Sequence, residues 1–300
     1  MQKLLVILGP TSTGKTDLAL RLAKKFNGEL VACDSRQVYT GLDIGTGKLP
    51  GQEVTVRKGK GLWEMDGVKV WMYDVADSKK QHTVYNYVKD ANKVIDSIVK
   101  RGKLPIVVGG TGLYLKALLE GLPNLAIPID LKLRKKLEKL SLEELQKKLQ
   151  EIASKRWEEM NNSDRQNPRR LIRAIEILQN SKVKIQKSKL QLKIQNYHTL
   201  KIGLMAPREV LYQRIDQRVV DRINQGMIDE AEKLHKNGLS LKRMRQLGLE
   251  YGGLADFLEG KIQDQQKLIK ILQGKIHGYA RRQITWFKKE KNVIWFDITH

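Results

Sequence analysis

Acidic residues are scarce in this chain of 300: 33 Asp and Glu stand against 56 Lys and Arg, leaving a formal charge of +23. That surplus points to a partner that is polyanionic over a wide surface, with nucleic acid first among the candidates. The alternative is a lysine-rich protein whose basicity reflects composition alone. Cysteine is scarcer still. Cys33 is the only one, which excludes an internal disulfide and fits a reducing cytosol. Long apolar runs are missing too: the longest are about five residues, against the roughly 20 needed to span a bilayer. No membrane association is expected. The opening "MQKLLVILGP" has an apolar run too short for a secretion signal and reads as a first strand. His82, His198, His235, His277 and His300 are scattered without metal-ligand spacing, so no zinc site is expected. No internal repeat or low-complexity tract is present.

At 41% hydrophobic, the chain can bury a sizeable core. "KLLVILG" reads as a strand, and "TDLALRLAKKF" as a helix with Leu18, Leu22 and Phe26 on one face. "GELVAC" is a second strand, ending at "DSRQVY". Residues 41–80 read as an irregular stretch of glycines and turns. "VYNYVKDANKVIDSIVKRG" is a helix stopping at Gly102, and "LPIVVGG" is a buried strand leading into "TGLYLKALLEG". Strands and helices that alternate, with strands apolar throughout, predict a parallel sheet flanked by helices on both faces. Beyond Pro128 the pattern changes to charged, leucine-punctuated helices over 130–180. Between Ser181 and Lys201 there are six lysines and no acid. "TLKIGLMA" returns as a strand, a helical part follows, and "NVIWFDI" is a last strand. The expected fold is therefore α/β, a P-loop NTPase-like parallel sheet with a helical insertion domain. Residues 1–117 and 198–300 form the core with a helical C-terminal part, and 118–197 the insertion.

"GPTSTGKT" fits G-x-x-x-x-G-K-[ST] and lies between a strand and a helix, the context that gives the motif its meaning. Gly9, Pro10, Thr11, Ser12, Thr13 and Gly14 form a loop whose successive backbone N–H groups can converge on phosphate at a helix start. Lys15 adds a point charge, and the Thr16 hydroxyl can hold Mg²⁺. By frequency alone the ligand would be a nucleoside triphosphate. Asp34 follows the second strand at its carboxyl end, where ligand-facing residues gather; the competing reading is a turn cap made with Ser35. Cys33 reads as a small buried residue rather than a nucleophile. Arg214, Arg218 and Arg222 share one helical face and repel one another unless an anion faces them, or else the face is solvated. "NPRRLIRAIEI" puts Arg169, Arg170 and Arg173 at a helix start, suited to nucleic-acid backbone or to surface ion pairs. In "RRQITWF", Trp286 and Phe287 read as core beside Arg281 and Arg282.

In order, "GPTSTGKT", "DSRQVY" with "GLDIGTGK", "GGTGLYLKALLEG", "NPRRLIRAIEI", "RIDQRV" and "RRQITWF" resemble the tRNA dimethylallyltransferases, the IPP transferase family, over essentially the whole chain. The resemblance implies transfer of a dimethylallyl group from dimethylallyl diphosphate to N6 of the adenine on the 3′ side of the tRNA anticodon. The phosphate loop, Gly9 to Thr16, would then hold the donor's diphosphate instead of ATP. Asp34 matches the catalytic aspartate that accepts the amino proton, and Thr11 the threonine that orients the reaction at the diphosphate. Lys15 and Arg218 match the cationic groups on that diphosphate, with Arg214 the alternative to Arg218, and Thr16 matches the Mg²⁺ ligand. Asp34, Ser35, Arg36, Gln37, Thr111, Gln166, Asn167, Pro168, Arg169 and Arg170 match tRNA-contacting positions. The implied partners are the anticodon stem-loop, gripped by the insertion, and the donor; a cytoplasmic monomer is expected. The chain departs from the family at "VKVWMYD" (68–74) in place of a Pro-His-His segment, at "ADSKKQH", and at "DIGTGKLP" where "DIGTAKP" is commoner. Three other readings stand beside this one: a phosphotransferase or ATPase, an enzyme prenylating free adenine nucleotides, and a non-catalytic RNA-binding module.

Overall fold

The computed structural model describes residues 2–49, 54–180 and 197–299. In chain order the elements begin with β1 (Gln2–Leu8), α1 (Lys15–Lys25), β2 (Gly28–Ala32), β3 (Val56–Gly59), β4 (Leu62–Met65) and β5 (Val68–Trp71). Next come α2 (Val84–Lys100), β6 (Leu104–Gly109) and α3 (Gly112–Leu119), then five helices: α4 (Leu131–Leu137), α5 (Leu142–Ile152), α6 (Ser154–Glu158), α7 (Asn162–Arg165) and α8 (Pro168–Asn180). The chain finishes with β7 (Tyr197–Met205), α9 (Arg208–Asn224), α10 (Met227–Lys236), α11 (Leu241–Leu247), α12 (Leu249–Leu258), α13 (Gln265–Phe287) and β8 (Val293–Asp297). None of the described helices is long and apolar enough to cross a membrane.

Two compact units result, Met1–Gly121 with Leu192–His300, and Leu122–Gln191. In the first, eight strands form one sheet in the order β3-β4-β5-β2-β6-β1-β7-β8. From β5 to β8 neighbouring strands are parallel. The five residues of β2 and the last five of β1 are all buried, which is why these strands read as unbroken apolar runs.

Two sequence expectations fail here. The stretch 41–80 is not irregular throughout: β3, β4 and β5 form two antiparallel hairpins on the sheet edge, so the sheet is mixed rather than purely parallel. The β4–β5 turn is Asp66-Gly67, both at positive φ (48° and 77°), the two-residue hairpin turn that this pair favours. In α1 the buried residues are Ala19, Leu20 and Ala23, whereas Phe26 is 53% exposed beyond the last turn. Small residues face the sheet there because the helix packs close to it.

The second unit has its own core, in which Leu137, Leu145, Leu149, Met160, Leu171 and Ile175 pack together. Glu176, fully buried, is gripped by both Arg134 and Arg173 and also accepts from the backbone N–H of Asp130 at 2.8 Å. Most of the lysine-rich stretch singled out in the sequence, 181–196, lies outside the described residues.

Candidate active site

After β1 the chain must pass the end of β7, and Gly9 is required: a Cβ there would lie 2.3 Å from the carbonyl oxygen of Leu204. The loop then turns through Ser12 (φ 63°) and Gly14 (φ 75°) into α1. Thr13 donates its hydroxyl to the Pro10 carbonyl at 3.0 Å, and the Lys15 ammonium folds back on that same carbonyl. Burial and then the nearby Arg218 push Lys15 down to about 7, with Asp34 opposing.

Asp34, at the end of β2, does two things. Its Oδ1 accepts from the backbone N–H of Arg36 at 2.7 Å and of Gln37 at 3.4 Å, so it does cap a turn. Its Oδ2 lies 3.4 Å from the Thr111 hydroxyl, which itself accepts from Ser35 N–H at 3.2 Å. Cys33 beside it is buried, and burial pushes its thiol up to about 12, so it is no nucleophile at neutral pH. At the end of β6, a Cβ on Gly109 would meet the Cys33 carbonyl at 2.1 Å, which lets the "GGTG" loop close against β2.

Gln283 of α13 joins these loops. It accepts from Thr11 N–H at 2.9 Å and donates to the Gly110 carbonyl at 2.8 Å while 5% exposed. On α9, Arg218 donates to the Thr11 hydroxyl at 3.4 Å. Its guanidinium is pulled below its ordinary value first by Arg222 and then by burial. A guanidinium stays charged in proteins, so that direction records like-charge repulsion. The "DIGTGK" segment closes the remaining side. Glu230 of α10 accepts from three successive N–H groups, Asp43 (2.9 Å), Ile44 (2.7 Å) and Gly45 (3.1 Å). Lys48, buried, binds the Tyr39 carbonyl at 2.6 Å and pairs with Asp43 and Asp74.

The segments these bonds hold together enclose a cavity of about 770 Å³, large enough for a substrate-sized ligand. Of the residues singled out in the sequence, Thr11 to Thr16, Asp34 to Gln37, Arg214 and Arg218 all face it. Gly9 and Pro10 shape its loop, and Thr111 stands behind Asp34. Gln166 to Arg170 do not line it; they sit at the α7–α8 junction of the other unit. There Asn167 accepts from the N–H groups of Arg169 and Arg170, and Arg170 pairs with Asp164.

Sequence reasoning missed Gln283, Lys48, Glu250 and Tyr279, and left Arg222 undecided; all five face the cavity. The departing segment 68–74 supplies Tyr73 to it, while Asp74 accepts from Trp63 at 2.7 Å. Trp286 is 36% exposed and lies where a Cβ on Gly112 would reach it at 2.2 Å, so of the two aromatics only Phe287 is core. Among the described residues no three His, Cys, Asp or Glu side chains gather as a metal site. The oxygen donors at the start of α1 are Thr16 and Asp17, both facing the cavity. One or two such groups, completed by substrate phosphates and water, suit Mg²⁺.

A family model described as "IPP transferase" matches residues 37–290, and one described as "Isopentenyl transferase" matches residues 2–62. A tRNA dimethylallyltransferase 2 of Treponema denticola is 40% identical over 96% of this chain and 93% of its own length. The crystal structure of a Bacillus halodurans tRNA isopentenylpyrophosphate transferase superposes with a TM-score of 0.69 at 36% identity, over 99% of this chain and 90% of that one. A eukaryotic dimethylallyltransferase acting on tRNA gives a TM-score of 0.78 at 26% identity, over all of this chain and 74% of that one.

Proposed function

The chain belongs to the IPP transferase family, and from that membership we propose that it moves the dimethylallyl group of dimethylallyl diphosphate onto tRNA, at N6 of the adenine on the 3′ side of the anticodon. It is a transferase that prenylates tRNA, as its relatives over nearly their full length are. The observation that carries the site assignment is the convergence of Lys15, Arg218 with Thr11, and Asp34 on one cavity.

In the reaction the bond between the allylic carbon and the diphosphate oxygen breaks, and a bond from N6 to that carbon forms. The diphosphate leaves with the electron pair, and one amino proton goes to a base. The loop's N–H groups, Lys15 and Arg218 are aimed at the charge growing on the departing diphosphate, the preorganised stabilisation that usually contributes most. An aromatic amine is a weak nucleophile. Asp34 Oδ2, the oxygen less used by the turn, accepts its proton, a contribution of about 10²- to 10⁴-fold. Thr11, held by Gln283 at its N–H and by Arg218 at its hydroxyl, orients the diphosphate. Mg²⁺ held by Thr16, with Asp17 beside it, would neutralise part of the diphosphate charge. The base must leave its stack to reach the cavity, at a cost of a few kcal/mol that is smallest in a single-stranded loop. Gln166 to Arg170 and the rest of the helical unit grip the anticodon stem through its phosphates. We take the enzyme to act as a cytoplasmic monomer.

The test is incubation with Mg²⁺, labelled dimethylallyl diphosphate and either unmodified tRNA or AMP, with ATP hydrolysis followed alongside. Label is expected in tRNA alone. Label in AMP alone, or ATP turnover without label transfer, would overturn the reading.

A further inference from the structure

Helix α9 carries Arg214, Arg218 and Arg222 one turn apart, and they sink progressively: Arg214 is exposed, Arg218 half-buried and Arg222 only 8% exposed. A solvated basic face does not bury its last guanidinium. Arg222 uses Nη1 for both of its hydrogen bonds, to the Gly45 carbonyl and to Glu250 Oε1, each at 3.2 Å. Nη2 makes none among the described residues. It lies against Gly47, where a Cβ would stand 1.9 Å from it and 2.4 Å from Nη2 of Arg218. The two guanidinium groups therefore sit side by side over one bare α-carbon, and Arg218 reaches on to Thr11 of the phosphate loop. Glu250, itself buried, is the carboxylate bonded to Arg222, while Arg218 has no ion pair among the described residues. Two adjacent cations sharing one buried counter-charge on a cavity wall are an incomplete set, and they call for an anion.

Gly47 leaves open the space beside its α-carbon that a side chain would take. An added methyl would occupy the space that the guanidinium groups fill, at a position already at φ 66°. The glycine and the buried arginine thus belong together.

We propose that Arg222 is a second arginine of the diphosphate site, offering Nη2 to the donor's phosphate oxygens while Glu250 and the Gly45 carbonyl hold Nη1, and that Gly47 makes the room for it. The inference rests on the donor's diphosphate occupying the phosphate loop, as proposed above. Lys15, Arg218 and Arg222 then surround the leaving group from two elements. One charge-assisted hydrogen bond at such a site is worth at least about tenfold in affinity.

The experiment titrates inorganic pyrophosphate, with Mg²⁺, into the wild type, Arg222→Gln/Glu250→Gln, Gly47→Ala and Lys15→Ala, and measures KM for donor and for tRNA. The double variant removes the buried pair together, so neither charge is left alone. It is expected to weaken pyrophosphate and raise donor KM at least about tenfold, with KM for tRNA unchanged. Gly47→Ala keeps every charge and should weaken pyrophosphate in the same direction; it decides the matter if the double variant does not fold. Wild-type pyrophosphate affinity in Gly47→Ala, or a change confined to tRNA KM in the double variant, overturns the proposal. If Lys15→Ala weakens pyrophosphate and the double variant does not, Arg222 alone loses its role. If neither weakens it, the phosphate loop is not the donor site and the reading beneath falls as well.

Discussion

In the proposed reaction a single aspartate is both scaffold and reagent. Asp34 Oδ1 holds the turn that follows β2, Oδ2 meets the Thr111 hydroxyl, and the residue lines the cavity, so the turn cap and the ligand-facing position open in the sequence coexist in one residue. This makes Asp34→Asn more informative than an alanine. Asparagine keeps an acceptor for the Arg36 N–H and cannot take the proton. Single-turnover transfer should fall at least about 10²-fold, with melting temperature and tRNA affinity near wild type; a rate within a few-fold of wild type would remove Asp34 from the chemistry. Lys15 makes a different prediction. With its ammonium pushed down to about 7 by burial and Arg218, it is largely neutral in the free enzyme at pH 8. A diphosphate would restore the charge. Binding of pyrophosphate at pH 8 should therefore take up as much as one proton more in the wild type than in Lys15→Ala, a difference that cancels the ligand's own titration and is measurable by calorimetry in buffers of different ionisation enthalpy; little difference is expected at pH 6. The stability sign is opposite to that of a salt-bridged lysine: the unfolded chain keeps the proton above pH 7, so this group makes stability rise with pH from about 7 to the ordinary lysine range.

Among the elements, α13 matters more to the site than its distance along the chain suggests. Gln283 bridges Thr11 N–H and the Gly110 carbonyl, fixing the phosphate loop against the loop that backs Asp34. Gln283→Leu fills the same space and leaves both backbone groups unpaired. It should lower kcat by up to about 10²-fold, the cost of a small misplacement at the reacting atoms, with donor KM changed less. An unchanged kcat would make Gln283 a packing residue only. It lies in the motif "RRQITWF", but that motif does not single it out from its neighbours. Its partners are backbone atoms 272 and 173 positions away, and no periodicity records such a bond. By contrast β1, β2 and β6 could be read directly, because strands buried on both faces must be apolar throughout. The β3–β5 hairpins fell between these cases. Their four-residue strands are partly exposed and carry no apolar run, yet Asp66-Gly67 between "WEM" and "VKVW" is a turn signal that was available and was outweighed by the surrounding glycines. The arginine face of α9 was visible as a pattern, but its depth was not, since burial of Arg222 depends on Gly47 and Glu250 in other segments.

At the scale of the molecule the surplus charge of +23 does not act as a uniform coat, because many of its arginines are already committed. In α8, Arg173 holds Glu176 and two carbonyl oxygens of 124–127, and Arg170 pairs with Asp164. Arg169 is exposed on the same helix start, and its guanidinium has no partner among the described residues. The two kinds of arginine should therefore fail differently. Arg169→Ala should weaken binding to every tRNA tested about equally and lower the slope of log affinity against log salt by about 1, the signature of one lost phosphate contact. Its melting temperature and its pyrophosphate affinity should stay at wild-type values. Arg173→Ala leaves a buried carboxylate short of one of its two guanidinium partners, and cores do not tolerate that. It should lower the melting temperature first and lose tRNA affinity only as a consequence. Filter binding across a salt series, with thermal melts of the same preparations, separates the two. If Arg169→Ala leaves the salt slope untouched, the start of α8 is not a phosphate contact, and the proposed grip of the helical unit on the anticodon stem loses this residue.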